Sequence, residues 1–349
     1  MTTTPPRLAL HVGPHKTASS YIQANFHAAT DALKQRGWLY PDVGTEGQMA
    51  HHHLAHNANL YLEEQAPHKQ ELKALGETAR SNGQNIVLSA EGFCRWQPAN
   101  FAGLARILGF DTYDLIYVIR DPLDLFSSLW AEEVKQGRSM GFADRFAREF
   151  ANPTGSRILN PVHDLNPFVA RKNVRVHAVP YDILKKREID IFEHIATDIL
   201  GLDGFVAQHV KPVNVKYSIE LTEFLRLMTL MHACGEPHIG SELRLLFTSL
   251  ISKQEQADLR QLVLDHAMHA RRVIQVPGNA VYRTMIQRAL KNRLKDVWSL
   301  DLDEDEALFS DDMRRFIYYD DYLLSKVDAV RDAAEDVLQR LGKHFGSSG

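Results

Sequence analysis

Residues 7–20 read RLALHVGPHKTASS. The apolar run from Arg7 to Val12 stops at Gly13, and from Ser19 onward Ile22, Phe26, Ala29 and Leu33 recur at steps of four, three and four. That pattern is a strand, a tight loop and an amphipathic helix. A loop in this position aims backbone N–H groups, and the positive end of the helix dipole, at whatever lies beyond the strand end. Lys16 adds a full charge, and the hydroxyls of Thr17, Ser19 and Ser20 add short donors. The set suits a phosphate or sulfate group.

Outward from this segment the same alternation repeats. Asn85–Ser89, Tyr113–Ile119 and Val174–Val179 read as strands, and Glu71–Ser81 and the stretch from about Asp190 to Leu200 as helices. Asp121 stands as an N-cap before Pro122, with a helix running towards Gln136 and stopped by Gly137. Strands alternating with helices of this length need crossover connections, so the expected fold is α/β, a P-loop-like parallel sheet with helices on both faces. From Ser218 to His344 long helical stretches such as Ile219–Leu230 and Val327–Leu341 replace the strands, and a helical extension is expected there instead of a second sheet. The expected division is a core over 1–217, a helical extension over 218–345 that completes the core or the acceptor site, and a flexible tail over 346–349. The acidic run Asp301–Glu306 reads as a solvated loop or helix start in preference to an interaction tail.

At 349 residues the chain has room for two domains or one enlarged one. Its 40 Lys+Arg against 44 Asp+Glu leave a formal net charge of −4, so no global basic field exists to hold nucleic acid, and an anion must be bound locally. Two cysteines, Cys94 and Cys234, cannot build a disulfide framework, and Cys94 reads as a packing residue. The start has no charged n-region followed by an apolar h-region, and no run approaches the roughly 18 apolar residues of a membrane span. A cytoplasmic protein without a transmembrane segment is expected.

A second chemical segment begins at Ile119. Arg120 leaves the strand end and Ser128 follows about two helical turns later, and arginine's fixed fork suits phosphate. The first loop is not a nucleoside-triphosphatase P-loop, which reads G-x-x-x-x-G-K-[ST]: Gly13 precedes Lys16 by three positions and no glycine adjoins the lysine. Arg120 also follows its strand where a magnesium site wants an acid, although Asp121 comes next. Two anion sites at two strand ends imply a nucleotide phosphorylated at both ends.

The pair G-P-H-K-T-A-S-S and R-D-P-L-D-L-F-S-S resembles the phosphosulfate loop, G-x-x-K-T-G-T-T, and the 3′-phosphate motif, R-[DN]-P-x-[DE]-R-x-x-S, of sulfotransferases that use 3′-phosphoadenosine 5′-phosphosulfate (PAPS). Val213-Asn214-Val215 resembles a third, weaker signature, and the resemblance spans about the first two hundred residues. It implies PAPS as sulfuryl donor, no metal, and a donor-binding set of Gly13, His15, Lys16, Thr17, Ala18, Ser19, Ser20, Arg120 and Ser128. Lys16 would contact the phosphosulfate and its bridging oxygen, Thr17, Ser19 and Ser20 the 5′-phosphate, and Arg120 with Ser128 the 3′-phosphate. Two positions depart from the pattern. Ala18 replaces a glycine, which is tolerable only at negative φ, and Leu125 replaces an arginine.

Sulfuryl transfer to a hydroxyl also needs a proton acceptor. Glu91, two residues beyond Asn85–Ser89, is the first candidate, because parallel strands deliver their C-terminal residues to one crevice; its competing role is an N-cap or ion-pair partner. The second is the group His51, His52, His53 and His56, from which His52 is taken as the assisting imidazole; a metal site lacks a clear third ligand. The catalytic set is therefore Lys16, Glu91 and His52, acting on a hydroxyl-bearing acceptor for which family analogy favours a saccharide. A P-loop nucleotide kinase or triphosphatase, and a non-catalytic nucleotide-binding scaffold, are the competing readings.

Overall fold

The computed structural model describes residues 5–208, 217–233 and 237–343. Val213-Asn214-Val215, Cys234 and the expected tail 346–349 lie outside these.

Five parallel strands form the main sheet: β1 (Leu8–His11), β2 (Trp38–Leu39), β3 (Asn85–Ser89), β4 (Tyr113–Ile119) and β5 (Val174–Pro180), in the order β2-β3-β1-β4-β5. β1 lies between β3 and β4, with His11 opposite Ser89 on one side and Ile116 on the other. Alternate residues feed two separate cores, as the pleat requires. Leu8, Leu10, Ile86, Leu88, Leu115 and Tyr117 enter one, together with Leu72, Leu104 and Leu165 from helices. Ala9, Val87, Ile116, Val118 and Val179 enter the other, with Ile22, Phe26 and Phe192. The sheet is therefore covered by helices on both faces, which is the arrangement that near-continuous apolar strands demand.

The expected elements appear with small changes. The first helix breaks in two, Ser19–Ala28 and Thr30–Gln35. The helix after β4 runs Pro122–Lys135. Asp190 caps its helix by accepting from the backbone N–H groups of Phe192 and Glu193, and a π-turn over Ile195–Ile199 follows. The two-residue β2 was not foreseen; two residues cannot show an alternation.

The chain separates into two compact units. One comprises Met1–Pro122, Asn160–Val213 and Val281–Ser310; the other comprises Leu123–Leu159, Asn214–Ala280 and Asp311–Gly349. This differs from a boundary at 217/218, because 281–310 belongs with the sheet. Ile286, Leu290 and Leu294 of the helix Val281–Leu294 sit in the first core, and Arg283 grips the buried Asp121 with two hydrogen bonds of 3.0 and 3.2 Å.

The second unit corrects the expectation of helices without a second sheet. β6 (Arg271–Val276) and β7 (Arg314–Tyr319) pair antiparallel, Val273 opposite Ile317. Both are rich in β-branched and aromatic residues, a strand signal that is easily lost among long helices. Phe224, Met228, Phe247, Val263, Val330 and Val337 supply this unit's helical core. Within it Arg226 pairs with Glu223 at 2.7 Å and with Asp321, and Glu223 accepts from the Tyr319 backbone N–H. Those bonds satisfy a carboxylate and a guanidinium that are both out of water.

Candidate functional site

The loop 12–18 leaves β1 at the middle of the sheet, where connections from β1 lead towards β2 while that from β3 passes to β4. Strand ends at such a reversal open a crevice. Lys16 (φ 68°) and Ala18 (φ 64°) are both left-handed, on either side of Thr17 at negative φ. The expectation of negative φ at Ala18 is thereby corrected. Alternating handedness turns successive N–H groups towards one point, the geometry of an anion nest, and it supplies a reason for an alanine to bear the cost of that conformation. The first helical bond is from the Ile22 N–H to the Ala18 carbonyl, so the amides before it have no intrahelical acceptor.

Beneath the loop the side chains knit inward. Thr17 and Ser19, both buried, donate to the Pro14 carbonyl at 2.7 and 3.1 Å. Their hydroxyls hold the loop's shape here instead of facing an anion. Gly13 has to be glycine: a Cβ would stand 2.9 Å from His11 Nε2 and 3.0 Å from Ser19 Oγ. His11 is fully buried, with Nδ1 2.7 Å from Ser89 Oγ and no hydrogen-bond partner at Nε2. Burial, opposed only by the nearby Glu91 charge, pushes its pKa down to about 4, so it is neutral at physiological pH. Ser20 is exposed at the start of the helix.

Arg120, at the end of β4, donates from Nη1 to the Lys16 carbonyl at 2.5 Å and lies over the Tyr181 ring, 5.5 Å from its centroid. The two strand-end motifs, 104 residues apart, are thus hydrogen-bonded to each other. Ser128 donates to the Asp124 carbonyl at 2.8 Å and belongs to the second unit. The first unit therefore unites Gly13–Ser20, Arg120 and Glu91 without it.

Glu91 opens a 3-10 turn, Glu91–Arg95, just past β3. Its carboxylate meets His15 Nδ1 at 2.6 Å. Burial alone would raise its pKa, but the His15 hydrogen bond and the charges of His15, His52 and Lys16 outweigh burial and hold the pKa below the usual carboxylate range. Lys16, His15 and His52 thus all act electrostatically on one carboxylate. Residue order alone gave no sign of the His15–Glu91 pair, because its partners are 76 positions apart.

The histidine group divides by role. His51 accepts the Ser89 backbone N–H at Nδ1 (3.1 Å), so its Nε2 carries the proton and donates to the Pro41 carbonyl at 2.9 Å. It is a buried strut whose pKa burial pushes down to about 4. His53 pairs with the Tyr61 hydroxyl at 2.7 Å. His52 stacks on His56, ring centroids 6.0 Å apart, and its Nδ1 is buried without a partner. Burial lowers the His52 pKa; Glu91 opposes this and His15 adds to it. No group of three or more His, Cys, Asp or Glu side chains arranged to hold a metal ion occurs among the described residues, and Cys94 packs against the first core.

No protein-family model, curated protein or solved structure matches this chain. Chemistry therefore has to be read from the site alone. No helix among the described residues is long and apolar enough to cross a membrane.

Proposed function

We propose that this chain is a sulfotransferase that moves a sulfuryl group from PAPS to a hydroxyl, with a saccharide as the favoured acceptor class. The observation that carries the reading is the bond from Arg120 to the Lys16 carbonyl. It joins a guanidinium to a lysine-bearing anion nest, each following its own parallel strand, which supports reading them as two grips on one doubly charged nucleotide. The residue set fits such a donor, with one rearrangement. The backbone nest and Lys16 would take the 5′-phosphosulfate, and Arg120 the 3′-phosphate. Thr17 and Ser19 would have to exchange the Pro14 carbonyl for a phosphate oxygen to contribute as the motif implies. Ser128 stands in this proposal on the motif alone.

In the transfer, positioning and charge stabilisation dominate. Lys16 would neutralise the negative charge growing on the leaving phosphate oxygen, and a base from the Glu91, His15 and His52 group would take the acceptor proton. The competing triphosphatase reading is disfavoured by Asp121, the acid that follows β4 and Arg120, because Arg283 already holds its carboxylate in a bidentate pair. The small number of cysteines suits action in the reducing cytoplasm.

The test is a pair of measurements on the full chain. Adenosine 3′,5′-bisphosphate should raise the melting temperature, as a ligand of the native state does, while ATP with magnesium should not. Labelled PAPS should then pass its sulfuryl group to a member of a glycan, phenol, steroid and lipid-alcohol panel. Stabilisation by ATP-magnesium alone would overturn the reading; bisphosphate binding without transfer to any hydroxyl would leave the scaffold reading.

A further inference from the structure

The loop contributes a second chemical group besides its lysine. His15 and Glu91 stand at the ends of different strands, and their side chains meet at 2.6 Å through Nδ1 and Oε2. A carboxylate that is ionised at neutral pH can only accept in this contact, so the proton lies on His15 Nδ1 and the Nε2 lone pair points away from Glu91. The imidazole is also the more open member of the pair, its side chain 31% exposed against 17% for the carboxylate. The carboxylate is thus the more enclosed half of the pair, and the imidazole, next to Lys16 in the loop, is the more accessible half.

We propose that His15 is the group that takes the acceptor proton, with Glu91 as its positioning residue. The proposal rests on the sulfotransferase reading and replaces Glu91 or His52 as direct base. In the step, the acceptor oxygen forms a bond to sulfur as the bond from sulfur to the bridging phosphate oxygen breaks. The electron pair of that broken bond stays on the departing adenosine 3′,5′-bisphosphate, next to Lys16. The hydroxyl proton goes to His15 Nε2, and the imidazolium then releases a proton to water. Glu91 keeps the ring in the tautomer that leaves Nε2 basic and stabilises the imidazolium as it forms, which a glutamine cannot do.

Neighbouring groups support this division of labour. The hydrogen bond from His15 and the charge of Lys16 stabilise the ionised form of Glu91, which suits an orienting carboxylate and makes it a weaker base. His52 keeps a buried, unpartnered Nδ1, and its ring is stacked on His56.

The experiment compares His15→Ala, His15→Asn and Glu91→Ala in the full chain. Adenosine 3′,5′-bisphosphate binding by calorimetry serves as the control for folding and for the donor site. Turnover is followed with labelled PAPS on the acceptor found in the panel, and as PAPS hydrolysis with water as acceptor. His15→Ala should lower turnover by about 10²–10⁴-fold, the usual worth of a general base, and added free imidazole should restore at least tenfold of the loss. His15→Asn can still donate to Glu91 but cannot accept the proton, so it should lose as much. Glu91→Ala should fall too, without recovery in formate. Formate rescue of Glu91→Ala while His15→Ala stays within threefold of the parent, or goes unrescued by imidazole, would overturn the proposal. A parent chain that binds the bisphosphate yet transfers to no acceptor and to no water also overturns it. A parent chain that fails to bind the bisphosphate instead removes the sulfotransferase reading itself.

Discussion

At the scale of single residues, the loop holds two side-chain-bearing positions in a conformation that favours glycine. Lys16 and Ala18 sit at φ 68° and 64°, and an L-residue there costs about 1–2 kcal/mol. Such strain persists where surrounding contacts over-determine the backbone, here the Thr17 and Ser19 bonds to Pro14. Ala18→Gly should therefore raise stability by about 1 kcal/mol, read as a higher urea midpoint at unchanged slope. A lower midpoint would show that the loop is not strained at this position. Charge at the same loop carries a separate expectation. A hydrogen bond to a charged group is worth about 1.5–3 kcal/mol, so Lys16→Ala and Arg120→Ala should each weaken bisphosphate binding by roughly 10- to 150-fold. Arg120→Lys should recover little, because the fork is lost. Calorimetric affinities equal to the parent's would take either residue out of the donor site.

At the scale of elements, β1, β3, β4, β5 and the first helix were legible because near-continuous apolar runs, punctuated by Gly13 and Pro122, leave few alternatives. What was not legible is what depends on pairing across the sheet. His51, His52 and His53 are adjacent in sequence and chemically identical, yet only the placement of Ser89 and Pro41 makes the first a strut, and only Glu91 draws on the second. His15 looked like a loop residue until β3 brought Glu91 to it, and Thr17 and Ser19 looked like ligand donors until the turn offered them Pro14. The buried histidines, His11 at the end of β1 and His51 bonded to the end of β3, give these elements a pH dependence with a definite sign. His11 and His51 are pushed from 6.5 down to about 4 by burial. Above pH 6.5 both folded and unfolded chains hold them neutral. Between 6.5 and 4 the unfolded chain binds their protons and the folded chain does not, so stability falls as pH falls, by up to about 3 kcal/mol for each group. Urea midpoints measured from pH 7 to pH 4 should show this decline. His51→Gln, less stable at pH 7, should decline less steeply over the same range; an unchanged slope would remove His51 from the account.

For the whole molecule, the order of units along the chain decides what can fold alone. The sheet-bearing unit takes up Val281–Ser310 only after the chain has contributed Leu123–Leu159 and Asn214–Ala280 to the other unit. A fragment of residues 1–217 would contain every strand of the main sheet and both motifs. It would lack Ile286, Leu290 and Leu294, which are buried in that core, at about 1.5–3 kcal/mol for each apolar side chain. It would also lack Arg283, leaving the carboxylate of Asp121 out of water without the guanidinium that holds it, a loss of about 3–5 kcal/mol for a broken buried pair. Set against the roughly 5–15 kcal/mol of net stability typical of folded proteins, those losses should leave the 1–217 fragment without a cooperative unfolding transition. The full chain should unfold cooperatively and bind the bisphosphate. Joining 281–310 to the fragment through a flexible linker should recover part of the transition, because that segment returns both the apolar side chains and the guanidinium. A fragment that melts sharply without it would mean that the helix Val281–Leu294 decorates the sheet and does not complete it.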